Sequence, residues 1–175
     1  MKGIILFTSK YGTAEKYARW LAEETGFDCA ETKKADAASL SGYDTVVCGG
    51  GIYAGRIAGL GFLKKNAAAL AGKRTVIYCC GVSEHTEESF EQLKAMNLKD
   101  GLEGTPCFYL RGAFDMNGLK FGDRTLCRML IKMVSKKAPD DLDVTERAIL
   151  NVKDKACDFT GKAQLQEIIK CINDI

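Results

Sequence analysis

The sequence predicts an α/β protein organised around one doubly wound sheet of five parallel strands in the order 2-1-3-4-5. Short continuous apolar segments, typical of strands covered on both faces, alternate with segments whose apolar residues recur at helical spacing. The chain has 175 residues, of which 46% are hydrophobic and 27% charged, which is enough to cover such a sheet and argues against disorder. We therefore expect a single domain over residues 1–175, with an insertion at about residues 112–137 after the fifth strand.

Five segments have the composition of strands. Four are apolar, and the second is polar and loosely alternating, as expected at the edge of a sheet. In chain order they are residues 3–7, 26–35, 44–49, 75–80 and 105–111. The loops after the first and third strands meet where the strand order reverses, so a ligand is expected there, beyond the carboxyl ends of the strands.

Helical periodicity fills the segments between the strands and after the last one. The first helix begins at Thr13, a second covers residues 62–70, and Ser83 is expected to cap a third. The apolar faces are Ala14, Tyr17, Ala18, Leu21 and Ala22 in the first helix, Phe90 and Leu93 in the third, and Leu165, Ile168, Ile169 and Ile172 in the last.

The turn between the first strand and the first helix has the composition of an anion site. Its residues are Thr8, Ser9, Lys10, Tyr11, Gly12, Thr13 and Ala14. Free N–H groups at a helix N-terminus and the positive end of the helix dipole favour a phosphate. The glycine spacing excludes the three-glycine dinucleotide fingerprint and the Gly-Lys-Ser/Thr triphosphate loop. The alternative is an ordinary turn in which Ser and Thr cap the helix.

Two further loops contain glycines that allow the backbone to approach a flat ligand closely. The second loop, residues 49–61, has Tyr53 as its only aromatic side chain, and stacking by Tyr53 would stabilise such a ligand. The third loop follows the fourth strand. The residues expected to contact the ligand are Gly50, Gly51, Ile52, Tyr53, Ala54, Gly55, Gly81 and Val82. The alternative is that the glycines form a tight turn and Tyr53 lies on the surface.

The net charge of +2 conceals a basic segment. Between Arg111 and Lys137, seven Lys or Arg stand against two Asp, so this segment has a charge of +5 and the rest of the chain −3. One predicted helical face has Leu126, Met129, Leu130, Met133 and Val134, and another has Arg124, Arg128, Lys132 and Lys136. Like charges at this spacing repel, so we expect an anionic partner: lipid headgroups, an acidic redox protein or substrate carboxylates. The alternative is a solvated basic face over an apolar stripe that packs in the core.

Several classes of protein are not favoured by the composition. The eight cysteines include no C-x-x-C spacing and half of them lie in apolar segments, which predicts reduced thiols in a cytoplasmic protein and no metal site. The basicity is local, so no nucleic-acid surface is expected. The N-terminus has no secretory flanks and no apolar run is long enough to cross a bilayer. No His, Asp or Glu of the three loops stands out as a catalytic acid or base.

The loops resemble those of flavodoxin-like proteins, which hold the terminal phosphate of FMN on a loop of the form Ser/Thr-x-Thr-Gly-x-Thr. Ser9 and Gly12 match this form, whereas Tyr11 and Ala14 stand where Thr is commoner. The stretches ILFTSKYGTAEKYA, CGGGIYAG and LRGAFDMNGLKFGDRTLCRMLIKMVSKK resemble the flavodoxin-domain family that includes menaquinone-dependent protoporphyrinogen dehydrogenase. Tyr53-Ala54 replaces the Arg-Tyr order of that enzyme.

The resemblance implies that FMN is the cofactor, with its phosphate on residues 8–14 and its ring between the second and third loops. It implies a redox flavoprotein that oxidises a protoporphyrinogen-like substrate near Arg111, Arg124 and Arg128, with a quinone as acceptor. A peripheral contact of residues 124–137 with the inner face of a membrane is also expected. The alternatives are an electron carrier that docks a redox partner protein without its own substrate, and a flavin-free interaction domain. The hydroxyl missing at Ala14 would weaken FMN binding by roughly 10- to 150-fold.

Overall fold

A sheet of parallel strands forms the centre of the protein, with helices on both faces. The computed structural model describes residues 1–153 and 155–174. The strands are β1 (Gly3–Thr8), β2 (Asp28–Glu31), β3 (Thr45–Tyr53), β4 (Arg56–Ile57), β5 (Arg74–Gly81), β6 (Cys107–Arg111), β7 (Ala113–Phe114) and β8 (Cys157–Asp158). The α-helices are α1 (Thr13–Thr25), α2 (Leu60–Lys65), α3 (Ala67–Leu70), α4 (Glu87–Asn97), α5 (Phe121–Val134), α6 (Val144–Val152) and α7 (Gln166–Asn173).

The parallel strands lie in the order β2-β1-β3-β5-β6, which confirms the predicted architecture and strand order. The central strand β3 pairs with β1 as far as Thr8↔Gly50 and with β5 as far as Gly51↔Cys80. The carboxyl ends of β1 and β3 are therefore neighbours at one edge of the sheet, where the predicted first and second loops begin.

Alternation along β1 divides the core into two layers, because successive strand residues point to opposite faces. Ile5 and Phe7 pack in one layer with α1 and α7, and Ile4 and Leu6 pack in the other with α2 and α3. The apolar faces predicted for the first and last helices pack in the first of these layers, where all their residues are buried except Ala22 and Ile169, which are partly buried.

The third strand is longer than predicted, since β3 continues through the glycines to Tyr53. Gly49, the last residue of the predicted strand and the first of the predicted loop, lies within β3, and a Cβ atom there would stand only 1.9 Å from Cζ of Tyr78 in the adjacent strand. Tyr78 is fully buried and its hydroxyl donates to the carbonyl of Ala14 at 2.7 Å. The sequence predicts that the glycines form a loop. At Gly49, however, the missing side chain leaves space for the ring of Tyr78.

Other element boundaries also differ from the predictions. The helix predicted over residues 62–70 is interrupted at Asn66, whose side chain donates to the carbonyl of Phe62 at 2.8 Å. Thr86, not Ser83, caps α4, because Thr86 and Ser89 form a capping box. The second strand is limited to four residues.

The insertion after the fifth strand contains β7 and the helix α5. β7 pairs with β8 near the C-terminus in a small antiparallel sheet that the sequence did not predict. Of the apolar face predicted for α5, only Val134 is buried, so the alternative of a core-packing stripe was wrong. None of the helices in the described residues is both long and apolar enough to cross a membrane.

Candidate functional site

The turn between β1 and α1 presents an array of backbone N–H groups. Gly12 caps α1 with φ of 88°, a left-handed conformation that favours glycine, and no side chain caps the helix. Its carbonyl accepts the N–H of Lys16 at 2.8 Å. Within the described residues, no protein acceptor binds the N–H groups of Gly12, Thr13 or Ala14. These groups open the helix, where an anion is the favoured partner.

The residues around these N–H groups differ in burial and in the groups that they can present to an anion. The methyl group of Ala14 is buried in the core, so this residue offers the turn its backbone N–H. Thr8, Ser9 and Thr13 are half-buried, and Lys10 and Gly12 are exposed. The weakening of FMN binding by the missing hydroxyl at Ala14 stays a prediction.

Asp123, in the first turn of α5, bonds to this turn. Its carboxylate lies 2.5 Å from Nζ of Lys10 and also accepts a hydrogen bond from the hydroxyl of Tyr11. The bonds from Lys10 and then Tyr11 lower the pKa of Asp123, and the same bond to Asp123 raises the pKa of Lys10. Sequence analysis missed Asp123 because it is 112 residues from Tyr11. The available signal was that Asp123 is an acidic residue directly before the basic helical face that begins at Arg124.

Tyr53 connects the second loop to the first. Its hydroxyl accepts the backbone N–H of Lys10 at 2.9 Å, and its ring meets Tyr11 edge to face at 6.4 Å between centroids. The ring folds over Gly51, where a Cβ atom would stand 2.5 Å from the tyrosine oxygen. Burial raises the pKa of Tyr53 above the ordinary tyrosine value, which already leaves the hydroxyl protonated at neutral pH. The structure therefore brings the predicted first and second loops into contact.

A two-residue turn joins β3 to β4. Ala54 and Gly55 both have positive φ, of 47° and 75°, as in the tight turns that link antiparallel strands. Asn97 of α4 secures this turn: its side chain accepts the N–H of Ile57 at 3.0 Å and donates to the carbonyl of Gly55 at 2.9 Å. Asn97 is a buried polar residue that sequence analysis did not single out.

The third loop is enclosed by an aromatic residue that the sequence analysis did not assign to it. Tyr109 of β6 lies over Gly81, where a Cβ atom would stand 2.4 Å from the tyrosine oxygen, and donates to the carbonyl of Ser83 at 2.8 Å. Gly112 donates its N–H to the carbonyl of Gly81 at 2.7 Å. The carbonyl of Val82 faces Nε of Arg111 at 3.5 Å.

The three arginines assigned to a substrate or partner lie in different surroundings. Arg111 pairs with Glu84 at 2.9 Å and stacks on Phe159, with 3.8 Å between the guanidinium carbon and the ring centroid. Arg124 donates to the carbonyls of Asn117 and Leu119 at 2.5 and 2.9 Å, so its guanidinium holds the turn before α5.

Arg128 lines a cavity of about 420 Å³ between α5, the turn after β7 and the segment after α6. Three lysines share this cavity with Arg128, and one acidic residue is among its described lining residues. The lining residues are Asp115, Met116, Asn117, Arg128, Ile131, Lys132, Lys153, Lys155 and Ala156. Sequence analysis found two of these cations through their helical spacing and had no signal for Lys153 and Lys155.

Comparisons with known proteins extend the structural findings. Several solved structures are similar: a WrbA-like flavodoxin from Agrobacterium tumefaciens has 15% identity over 70% of this chain and 87% of its own, with a TM-score of 0.44. The two-electron reduced flavodoxin of Megasphaera elsdenii has 12% identity over 62% of this chain and 82% of its own, with a TM-score of 0.46. Flavodoxin 2 of Bacillus cereus has 18% identity over 63% of this chain and 84% of its own, with a TM-score of 0.43.

No curated protein matches the sequence. A family model described as "Flavodoxin domain" matches residues 4–143, which include the three predicted loops and α5. Such domains bind flavin, typically FMN. The chain therefore belongs to the flavodoxin-domain family.

Proposed function

We propose that this protein binds FMN and oxidises a protoporphyrinogen-like substrate, with a quinone as electron acceptor. Membership of the flavodoxin-domain family supports the redox class. The observation that supports the cofactor most directly is the set of N–H groups of Gly12, Thr13 and Ala14, which have no acceptor within the described residues. A dianionic phosphate is the natural partner for such groups at a helix N-terminus.

Each loop has a specific part in this proposal. Residues 8–14 hold the phosphate, and Gly50–Gly55 and Gly81–Val82 hold the ring from either side. When bound, FMN would supply the redox chemistry. The protein binds and orients this cofactor and excludes water from it. Tyr53 fixes the first loop to the second through its bond to the N–H of Lys10, and Asn97 fixes the turn behind Tyr53. Because Asp123 neutralises Lys10, backbone N–H groups supply most of the attraction for the phosphate.

The acidic groups of the substrate are assigned to the cationic cavity and to Arg111. Arg128 and Lys132 of α5 face Lys153 and Lys155 across this cavity, a cluster suited to carboxylates. Arg111 lies against Val82 of the third loop and is a second candidate contact. Arg124 supports this arrangement indirectly, because it holds the turn that precedes α5.

Anaerobic turnover by the full chain tests the proposal. After loading with FMN, the protein should bleach its flavin when protoporphyrinogen is added and recover it when a quinone is added. The double variant R128Q/K132Q should raise KM by about tenfold, since two solvent-exposed ion pairs with the substrate carboxylates are lost. The variant K33Q/K34Q removes the same charge far along the chain and should behave as the wild type.

Three results would contradict the proposal. Turnover that does not change in R128Q/K132Q would contradict the role of the cavity. A loaded flavoprotein that exchanges electrons only with a protein partner would select the electron carrier. A chain that takes up no FMN would select the flavin-free interaction domain.

A further inference from the structure

Two side chains of β6 hold the backbone of the third loop. The hydroxyl of Tyr109 donates to the carbonyl of Ser83 at 2.8 Å. Nε of Arg111 faces the carbonyl of Val82 at 3.5 Å, and its guanidinium pairs with the carboxylate of Glu84 at 2.9 Å. Tyr109 and Arg111 are two residues apart in a strand and therefore lie on the same face of β6. Successive residues of the third loop are thus attached to one strand.

Aromatic neighbours keep the ring of Tyr109 in one position. His85 lies 4.5 Å and Phe90 lies 6.1 Å from this ring, both measured between ring centroids. Gly81 leaves space for the hydroxyl, because a Cβ atom there would overlap the tyrosine oxygen. A side chain that is locked by packing can hold a loop in one geometry. Tyr109 is therefore a fixed donor to the third loop.

The same bonds set the direction of two N–H groups in the third loop. In a trans peptide, the carbonyl of one residue and the N–H of the next point to opposite sides. The carbonyls of Val82 and Ser83 point to the side chains of β6, so the N–H groups of Ser83 and Glu84 point away from them. Within the described residues, no protein acceptor binds these two N–H groups.

The order of the strands places the candidate flavin site on the side to which these donors point. β3 and β1 lie on the side of β5 that is opposite to β6. The second loop begins at the end of β3, and the first loop follows β1. The N–H groups of Ser83 and Glu84 are therefore directed from the third loop towards the other two loops.

We propose that Tyr109 and Arg111 are positioning residues for the flavin. They hold the third loop so that the N–H groups of Ser83 and Glu84 donate to the oxygen and nitrogen acceptors at the edge of the ring. This inference rests on the proposed binding of FMN; it adds Tyr109 to the site and gives Arg111 a second role. Hydrogen bonds to ring atoms are one means by which a protein tunes a flavin. The reduced ring is richer in electrons, so the same donors bind it more strongly and raise the reduction potential.

The variant Tyr109→Phe tests the inference in the full chain loaded with FMN. It keeps the ring that packs against His85 and removes only the hydroxyl that holds the carbonyl of Ser83. We expect the affinity for reduced FMN, relative to oxidised FMN, to fall about three- to tenfold, because the N–H groups are no longer fixed. The midpoint potential of the bound two-electron couple should then fall by about 15–30 mV. Redox titration against dyes of known potential measures this shift.

Tyr43→Phe is the matched control for this substitution. It removes a tyrosine hydroxyl that donates to Asp28 at 2.7 Å, outside the three loops, and should leave the potential of bound FMN unchanged. A second measurement needs no variant: in the wild type, FMN should slow amide hydrogen exchange at Ser83 and Glu84, because both N–H groups gain an acceptor.

The possible failures of this inference and of the proposed function are distinguishable. FMN that binds with the same potential in wild type and Tyr109→Phe would overturn the inference alone. So would an equal shift in Tyr43→Phe, or FMN binding that leaves exchange at Ser83 and Glu84 unchanged. A wild-type chain that takes up no FMN would contradict the proposed function, and this inference with it.

Discussion

Substituting Gly12 by Ala tests the anion site at the residue where its geometry is set. Gly12 has φ of 88°, and a Cβ atom there would have no neighbour within 4 Å. The added methyl therefore meets no side chain, and its cost is that of the left-handed backbone, about 1–2 kcal/mol. If the free protein relaxes from this conformation, FMN binding must restore it. We expect the Kd for FMN to rise by about 5- to 30-fold.

Gly26→Ala is the matched control for this substitution. Gly26 ends the same helix with φ of 71° and also has no atom within 4 Å of its Cβ position. Urea unfolding of the apoprotein should therefore show a loss of about 1–2 kcal/mol for Gly26→Ala and a smaller loss for Gly12→Ala, because the turn at Gly12 relaxes when no FMN is bound. Titration of the apoprotein, followed by quenching of flavin fluorescence, should show a raised Kd for Gly12→Ala alone. Equal Kd values in the two variants would refute the assignment of the anion site to this turn.

Three other substitutions test particular contacts. Asp123→Asn should tighten FMN binding about two- to fivefold, because Lys10 loses its carboxylate partner and becomes free for the phosphate; weaker binding in the same titration would contradict this. Gly49→Ala should lower the free energy of unfolding by about 1–3 kcal/mol, since its methyl group overlaps Tyr78; an unchanged urea midpoint would be inconsistent with the packing. Hydrogen bonds from Thr160 and Lys16 lower the pKa of Asp158 from 3.8 to about 2. The stability that Asp158 contributes is therefore present above pH 3.8 and is lost as the pH falls towards 2, and Asp158→Asn should show a shallower decline in acid unfolding curves.

Local patterns were sufficient to predict the sheet. Four apolar segments and one polar, loosely alternating segment identified the five parallel strands, and the reversal of strand order brought the first and second loops together as expected. Boundaries were less predictable where two local signals compete. The sequence predicted Ser83 as the cap of the third helix, whereas Thr86 caps it because Ser89 completes a capping box with Thr86.

The contacts that sequence analysis missed join residues far apart in the chain. Asp123 meets Tyr11 across 112 residues and Asn97 meets Gly55 across 42, and no periodicity reports such pairs. The two-residue strands β7 and β8 are too short for a recognisable alternation. The spacing in α5 predicted an apolar face, but the sequence could not tell whether the core or another surface covers it.

Comparison of FMN with riboflavin tests the central claim most directly, because the two ligands share the ring system and differ in the phosphate. Isothermal titration of the apoprotein should show saturable binding of FMN and binding of riboflavin at least tenfold weaker, since charge-assisted bonds to the phosphate are lost. Equal affinity for the two ligands, or no saturable binding of FMN, would contradict an anion site at the start of α1.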